Sequence, residues 1–418
     1  MEHENLSHVV RQFQQTFSEQ VLNGLGQAVR FCFRVREITP YRLALGLIEV
    51  FAPTRVETMA DRHRAFNALC GTTVQYQPFH DQLVKAPFPT SMCTVCEQLM
   101  RPLPIEVLRF TPQSPFARFT PIPLHDGTSL GVKSTLKKSF PGRFTKTSPA
   151  AVELHGSREL FSEGVDTVTR TPDKESEVPQ APAPNTMRGG WFLGDRRFFI
   201  KAYLAPIIAH GGSFIVQAKG IINPLIRPAY TREGGELKRF GNPPLKTWKS
   251  KGSKYQALDR EGVWEGELEA RLIVTWDVKN KRPRYLVTHL PRADFTLEPV
   301  GDAYRRRWQV ELMFKEWKSY TSRHAFDTSK ANIAEGLIGA ALCAAILNRY
   351  GAHLAQRLGQ VPISTRKVAM CLHHVLSDIF RALMHSQRQL QKTLQRALHY
   401  LSLNAQRAHP KRDQRSGR

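Results

Sequence analysis

The sequence predicts a mixed α/β protein in which helical regions flank a central sheet. Apolar residues recur at helical spacing up to about residue 110, and the same spacing returns after about residue 302. Between them, residues 116–219 contain short runs of strand-type residues bounded by glycine and proline, with one helical stretch before the last run. Several strands followed by a strand–helix–strand unit are typical of a mixed sheet.

The N-terminal region, residues 1–112, is predicted to be helical. Val9, Phe13 and Phe17 share one face of a first helix, and residues 39–83 are typical of short helices joined by tight turns. The pattern alone leaves two interpretations open. This region is either a helical subdomain that binds DNA or a helical cap that only covers the core.

Residues 113–219 are predicted to supply the first strands of the central sheet. A helix is expected at residues 197–210, just before the last of these strands. The proline-rich acidic stretch from Thr171 to Asn185 is predicted to be a surface loop. The candidate strands are Phe116 to Leu124, Ala150 to His155, Gly164 to Arg170, Gly190 to Gly194 and Ser213 to Lys219.

Residues 220–298 are predicted to form a β-rich insertion, because they lack helical spacing and contain many glycines and prolines. Their clearest element is a hairpin of two strands, Ala270 to Trp276 and Tyr285 to His289, around a basic turn. Residues 299–330 then carry a long helix from about Asp302 to Ser322. Residues 331–418 are predicted to form helices at Ile333 to Leu358 and Thr365 to Leu401, followed by a basic tail.

Positive charge dominates the composition. The 418 residues include 60 Lys and Arg against 36 Asp and Glu, which gives a formal net charge of +24. This charge suits a polyanionic partner, although a protein that is merely rich in lysine and arginine has the same composition. The distribution favours nucleic acid, because basic residues recur on many segments, as contacts to a phosphate backbone require. These residues include Lys133, Lys137, Lys138, Arg143, Lys146, residues 238–254, Arg305 to Arg307 and residues 407–418.

The sequence predicts a cytoplasmic protein without a membrane span. It begins MEHENLSHVV, which has acidic residues where a secretory signal has basic ones. The longest uninterrupted apolar run, Gly336 to Leu347, has 12 residues, and a membrane helix needs about 20. The six cysteines are scattered, as is typical of a reducing compartment. Cys93 and Cys96 have the spacing of half a zinc site, but no second pair completes it, so both are predicted to be ordinary thiols.

The stretch YRRRWQVELMFKEWK carries the most informative polar pattern. On a helix, Tyr304, Arg307, Glu311 and Lys318 lie within an arc of about 60° and therefore share one face. Apolar and aromatic residues occupy the positions around this stripe, so most of the helix is predicted to be buried. A carboxylate among a phenol, a guanidinium and an ammonium suits a metal ion and phosphates. An ordinary amphipathic helix with surface salt bridges, such as Glu311 with Lys315, is the alternative.

The spacing Tyr-x2-Arg-x3-Glu-x6-Lys matches the signature of the insertion-sequence-four family of bacterial DDE transposases, which this chain resembles. The resemblance extends over roughly residues 30–400 and is strongest from residue 116 to residue 320. Four further segments resemble family motifs, namely LHDGTSL from Leu124, SFPGRFTKTSPAAVELH from Ser139, GWFLGDRRFF from Gly190 and YLVTHLPRADF from Tyr285.

This resemblance implies an RNase-H-like core with a catalytic triad of Asp126, Asp195 and Glu311. Residues 113–219 and 299–330 would form the core, and the β-rich insertion would separate its two parts. The three carboxylates would hold Mg²⁺ or Mn²⁺, since hard oxygen ligands suit these ions better than zinc. The implied activity is metal-dependent hydrolysis at transposon ends, followed by joining of the 3′-hydroxyl to target DNA.

The resemblance also implies partners. Double-stranded DNA would be bound at the terminal inverted repeats and the target, with the protein acting as a homodimer. In the family, the signature Tyr, Arg and Lys contact transposon-end DNA, and the matching residues here are Tyr304, Arg307 and Lys318. Family members hold a flipped base on an aromatic residue of the insertion. The candidates here are Trp248, Trp264 and Trp276, and no motif selects among them.

The chain departs from the family pattern at three places. Arg197 stands two residues after the second aspartate, where the family usually has glycine. Pro121 and Pro123 fall in the expected first catalytic strand, although proline cannot donate to a strand ladder. His289 and Leu290 stand where many relatives have Asn-Leu before the signature helix.

Two other functions stay open. One is a metal-dependent nuclease on the same core that cuts DNA without joining it. The other is an inactive or domesticated relative that only binds DNA, which would bind tightly and in a salt-sensitive way. No glycine-rich phosphate loop of the P-loop type occurs, so chemistry driven by nucleoside triphosphates is not indicated.

Overall fold

We describe the protein from a computed structural model. The described residues are 2–32, 36–51, 58–100, 114–119, 123–159, 167–219, 222–230, 236, 244–245, 258–264, 268–277, 282–304, 326 and 328–408. Several predicted residues lie outside this set, namely Pro121, Trp248, Arg307, Glu311 and Lys318, as do the side chains of Asp126, Trp264 and Trp276.

The N-terminal region is helical, as predicted. The helix Met59–Cys70 is capped at both ends. Thr58 and Asp61 form a capping box at its start, and Gly71, whose φ is 62°, caps its end. The six helices are α1 (Glu2–Phe17), α2 (Glu19–Ala28), α3 (Pro40–Phe51), α4 (Met59–Cys70), α5 (Tyr76–Val84) and α6 (Phe88–Met100).

The first sheet is antiparallel and is organised around one long strand. Its strands are β1 (Pro123–Gly131), β2 (Pro141–Phe144), β3 (Ser148–Glu159) and β4 (Thr167–Pro172). β3 pairs with each of the other three. The prediction of a first strand from Phe116 to Leu124 was wrong, because Phe116 lies in a 3-10 turn and the strand begins at Pro123. Proline has no N–H to donate, so it fits the first position of a strand.

The second sheet contains one parallel pair extended by antiparallel strands. Its strands are β5 (Trp191–Gly194), β6 (Ser213–Gln217), β7 (Leu225–Tyr230), β8 (Leu258–Trp264), β9 (Leu268–Asp277) and β10 (Arg282–Thr288), in the order β5-β6-β10-β9-β8-β7. β5 and β6 run parallel and are joined by α7 (Lys201–Ala209), as the strand–helix–strand pattern predicted. The predicted hairpin is confirmed as β9 and β10.

The C-terminal region contributes four helices, α8 (Ala331–Gly359), α9 (Thr365–Cys371), α10 (His373–His385) and α11 (Gln387–Asn404). The single helix predicted from Thr365 to Leu401 is three helices, with a break at Leu372 and a cap at Ser386, whose hydroxyl accepts a bond from the Gln389 N–H. By length and composition α8 could cross a membrane, and 83% of its most apolar stretch is buried inside the protein. Such burial is typical of a core helix.

The helices from both ends of the chain share one hydrophobic core. α8 packs against α3, α5, α6 and α11, and β1 and β3 add Leu130, Val152 and Leu154 to the same cluster. The second sheet has a core on each face, one around Phe192 and Phe214 and the other around Trp191, Ile215 and Ile273. The molecule is therefore a mixed α/β protein with helices, as predicted, but its described strands form two sheets and not the one central sheet that was expected.

Candidate catalytic site

Asp126 lies inside strand β1 and not beyond its end. It pairs with Gly156 of β3 in the antiparallel register. β1 also lies beside β5, the strand that leads to Asp195. Within the described strands no hydrogen-bonded ladder joins β1 to β5. The two predicted aspartates are therefore on neighbouring strands that belong to different sheets.

Asp195 follows directly after β5, as predicted, and begins a tight turn. Its carboxylate Oδ1 accepts a hydrogen bond from the Arg197 N–H at 2.7 Å, and its carbonyl accepts one from the Phe198 N–H at 3.2 Å. The residue is half-buried. β5 is parallel to β6, and ligand sites in sheets of this kind collect at the carboxyl ends of parallel strands. Its position therefore suits a site residue.

Arg197 projects from this turn toward two buried carboxylates. Its guanidinium forms an ion pair with Glu177 and lies 3.5 Å from the carboxylate of Glu153. The Arg197 side chain is 47% exposed, whereas those of Glu177 and Glu153 are only 5% and 2% exposed. Arg197 thus neutralises charge that would be costly to bury alone.

A second arginine completes this cluster. Arg143 lies 3.0 Å from the Glu153 carboxylate and donates to the Asp173 carbonyl through its guanidinium, while its N–H donates to the Asp173 carboxylate at 2.8 Å. We call Arg143, Glu153, Asp173, Glu177 and Arg197 the buried ion cluster. The prediction of a surface loop from residue 171 to residue 185 was wrong at three positions, because Thr171 lies in β4 and Thr171, Asp173 and Glu177 are buried.

Two histidines lie beside this cluster. The rings of His125 and His155 stack with centroids 5.9 Å apart and an angle of 6° between their planes. Burial lowers the pKa of His125 to about 3, with a further lowering from His155. Burial also lowers the pKa of His155, although Glu153 opposes this change. Both rings are therefore neutral at physiological pH.

Glu153 is the most deeply buried carboxylate of the cluster. Burial raises its pKa, and the nearby positive charges of Arg143 and Arg197 oppose that rise. Sequence reasoning did not identify this cluster. The signal that could have found it is the alternation of Glu153 and His155 on β3 opposite Ser129 and Gly127 on β1, since strand partners share one face of the sheet.

A helix is described from residue 297 to Tyr304, the first residue of the signature. The Tyr304 ring is buried in the core of the second sheet, and its hydroxyl hydrogen-bonds to Gln217 Oε1 at 3.1 Å, at the end of β6. Arg271 of β9 fixes the preceding turn by donating to the carbonyls of Leu290 and Phe295 at 2.8 and 2.9 Å. The described part of this helix, residues 297–304, is thereby anchored near the strand ends.

No three His, Cys, Asp or Glu side chains in the described part of the chain come together as a metal site. Asp195 offers an oxygen donor, and the side chains of Asp126 and Glu311 are not among those described. Cys93 and Cys96 lie buried in α6, where burial raises the pKa of Cys93 to about 12. Cys96 Sγ lies 3.0 Å from Cys343 Sγ. Both are core thiols, and this environment opposes the thiolate form that zinc binds.

Comparison with known proteins identifies the family. The sequence profile of the family described as transposase DDE domain matches residues 118–347, which is more than half of the chain. The transposase for insertion sequence element IS231E of Bacillus thuringiensis subsp. finitimus is 26% identical over 149 residues, which are 34% of this chain and 31% of that protein. The transposase for IS231C of Bacillus thuringiensis subsp. berliner is 28% identical over 149 residues, which are again 34% of this chain and 31% of that protein.

A shorter match has higher identity. The putative transposase InsL for insertion sequence element IS186A of Escherichia coli (strain K12) is 42% identical over 62 residues, which are 15% of this chain and 17% of that protein. This chain thus spans about a third or less of the length of the curated relatives it matches. The family profile covers Asp126, Asp195 and Glu311 together. The chain therefore belongs to the transposase DDE domain family.

Proposed function

We propose that this protein is an insertion-sequence transposase that hydrolyses phosphodiester bonds at transposon ends and joins the new 3′-hydroxyl to target DNA. The observation that carries the proposal is the approach of β1, which holds Asp126, to β5, which ends at Asp195. Both lie inside the segment matched by the family profile. Glu311 would complete the triad from the signature helix.

The proposed metal ligands are Asp126, Asp195 and Glu311, which would hold Mg²⁺ or Mn²⁺. Asp195 fits this role because it is half-buried and its Oδ1 is oriented by the Arg197 N–H. The proposed donor set contains only oxygen, which suits hard divalent cations. When bound, the cation supplies positive charge that stabilises the transition state of phosphodiester hydrolysis.

The chain's own residues would bind and orient the DNA. Arg307 can grip a phosphate with two parallel hydrogen bonds, and Lys318 supplies a point charge. Tyr304 is proposed to contact the transposon end through its hydroxyl, which Gln217 holds in this structure. Trp264 and Trp276, on strands β8 and β9, are proposed with Trp248 as candidates to stack on a flipped base.

The proposed domain organisation follows the same assignment. The first sheet, β5, α7, β6 and the signature helix would form an RNase-H-like core, interrupted by the β-rich insertion at residues 220–298. Strands β7 to β10 lie in that interval and continue the sheet that begins with β5 and β6. The helical regions would bind DNA and support a homodimer. An enzyme that acts on bacterial chromosomal DNA would work in the cytoplasm.

The proposal is tested with purified protein, Mg²⁺ and a labelled duplex that carries the inverted repeat flanking the open reading frame. We expect nicking at the repeat end and strand-transfer products with a target plasmid. Asp126→Asn, Asp195→Asn and Glu311→Gln should each abolish both products. Asp378→Asn is the matched control, because Asp378 is an exposed carboxylate on α10.

Each other outcome identifies a different function. Cleavage without strand transfer would make the protein a nuclease, and tight binding without cleavage would make it an inactive DNA-binding relative. Cleavage by all three triad variants at the rate of the unaltered protein would show that the triad is assigned wrongly.

A further inference from the structure

Asp195 is held by the backbone of the turn that follows it. The Asp195 carboxylate accepts a hydrogen bond from the Arg197 N–H at 2.7 Å, and Asp195 O accepts another from Phe198 N–H at 3.2 Å. These two bonds fix residues 195–198 as a compact unit. A displacement of Arg197 would therefore change the orientation of the Asp195 carboxylate.

Arg197 is in turn held by groups outside the turn. Glu177 comes from the segment between β4 and β5, and Glu153 comes from β3 of the first sheet. Both carboxylates are buried, so their attraction to the arginine is weakly screened by water. The turn at the end of β5 is thus tied electrostatically to the first sheet.

The same two carboxylates lie over the residue that follows Asp126. A Cβ atom placed on Gly127 would lie 3.1 Å from Glu153 Oε1 and 3.2 Å from Glu177 Oε1. Only a residue without a side chain allows carboxylates to approach the β1 backbone so closely. The ion pair therefore bridges the strand of Asp126 and the turn of Asp195.

This bridge links β1 to the turn after β5. Within the described strands no backbone ladder joins β1 to β5, so hydrogen bonds between these strands do not fix their spacing. The Arg197 side chain with its two carboxylates does so instead. The neighbouring Arg196 is exposed and carries the same charge as Arg197, so a substitution of Arg196 is a matched control for a substitution of Arg197.

We propose that Arg197, held by Glu177 and Glu153, is a positioning residue that fixes the Asp195 carboxylate relative to Asp126 and thereby sets the affinity for the divalent cation. This inference rests on the proposed function, in which both aspartates are metal ligands. Arg197 acts only through Asp195.

The test measures Mn²⁺ binding to the full-length protein without DNA, by calorimetry and by the loss of the free Mn²⁺ paramagnetic resonance signal. Arg197→Gln should weaken binding about tenfold, as is typical when a residue that orients a metal ligand is lost. Arg197→Lys keeps the charge and should recover most of the affinity. Arg196→Gln removes the same charge one residue away and should change the affinity less than about twofold.

A purely structural role predicts a different result. In that case Arg197→Gln would lower the unfolding temperature but bind Mn²⁺ normally at temperatures where circular dichroism shows a folded protein. Glu177→Gln provides an independent variant, and it should weaken Mn²⁺ binding in the same direction. Normal binding by folded Arg197→Gln and Glu177→Gln would overturn the proposal.

Asp195→Asn separates this inference from the function on which it rests. Loss of Mn²⁺ binding in Asp195→Asn, with equal binding by Arg197→Gln and Arg196→Gln, would reject the positioning role and leave the metal site intact. Unchanged Mn²⁺ binding in Asp195→Asn would instead reject the metal site itself.

Discussion

Arg197 and Gly127 show how single residues decide the geometry beside the two aspartates. Arg197 supplies a cation to two buried carboxylates. Gly127 contributes by lacking a side chain, which leaves space for the same carboxylates. The two residues are complementary, because the carboxylates need both a counter-charge and room against β1.

Substitution of Gly127 by alanine tests this packing. The new methyl group would lie 3.1 to 3.3 Å from Glu153, Glu177 and His155, so these neighbours must move. We expect a loss of about 1–2 kcal/mol in the free energy of unfolding, measured by urea denaturation, because overpacking exceeds the entropic gain from replacing glycine.

Gly24→Ala in α2 is the matched control. A Cβ atom at Gly24 meets nothing within 4 Å, so the substitution should stabilise the protein by up to ~1 kcal/mol. Equal stabilisation by both substitutions would contradict a tight contact at Gly127.

At the scale of elements, the sequence predicted those structures that local pattern determines. The hairpin of β9 and β10, the β5–α7–β6 unit and the terminal helices all follow from periodicity and turn residues over short windows. The burial of Glu177 could not be predicted in this way, because its partner Arg197 lies 20 residues further along the chain. The polar stretch around Glu177 is typical of a loop when its distant partner is not known.

The start of β1 was missed for a different reason. The apolar residue at position 116 serves packing and not a strand. The Phe116 ring packs on Trp191 and Phe295, with ring centroids 5.1 and 5.0 Å away. Apolar pattern alone does not distinguish a buried turn from a buried strand. The remaining part of the candidate site, from Arg307 to Lys318, is still a prediction from the signature spacing.

We expect the tip between β2 and β3 to contact DNA beyond the cleavage site. Phe144 is 64% exposed there and Lys146 is also exposed. The 3-10 turn Ser134–Lys138, which packs on β2 and β3, adds the exposed Lys137 and Lys138. Gly156, the partner of Asp126, lies eight residue positions beyond Ser148 along β3, which is about 26 Å of extended strand. A duplex that entered the site could reach this tip after about seven or eight base pairs.

Replacement of Lys137, Lys138 and Lys146 by glutamine should therefore weaken binding to end DNA by about tenfold or more near 0.1 M salt. The magnitude of the slope of log affinity against log salt should fall by up to about three. A protein that neutralises fewer phosphates releases fewer counterions when it binds. Fluorescence anisotropy over a salt series measures both quantities.

The control removes three exposed cations from α11, with Arg388, Lys392 and Arg396 replaced by glutamine. It changes the net charge equally but leaves the tip intact. If the two triple variants lost the same affinity, the tip would have no specific role and only the overall positive field would matter.

The crossing of α8 over α6 gives an element-scale test of stability. A Cβ atom on Gly336 would overlap the ring of Phe88, which is fully buried. Gly336→Ala should lower the free energy of unfolding by about 2–3 kcal/mol, and addition of Phe88→Leu should recover part of that loss. Gly351→Ala in the same helix meets its neighbours only at 3.6 Å and should be neutral or stabilising in the same urea measurement.

At the scale of the whole molecule, the two ends of the chain depend on each other. α8 lies among α3, α5, α6 and α11, and its buried face is shared by helices from before and after both sheets. Contacts between distant elements join them, including a Tyr350 hydroxyl that hydrogen-bonds to Gln12 at 2.6 Å and a Ser377 hydroxyl that donates to Glu49 at 2.7 Å. The N-terminal region is thus one part of a shared helical core.

Truncation after residue 330 tests this dependence. The shortened chain would keep α1 to α6 and both sheets but lose α8 to α11, which exposes the apolar faces that these helices cover. We expect aggregation, or a molten state with helical circular dichroism but no cooperative thermal transition, because each buried aliphatic side chain contributes about 1.5–3 kcal/mol through burial. Supplying residues 331–418 as a separate chain should restore cooperative unfolding. A sharp thermal transition in the truncated chain alone, with slow amide exchange in α3 and α6, would show that the N-terminal helices fold without their C-terminal partners.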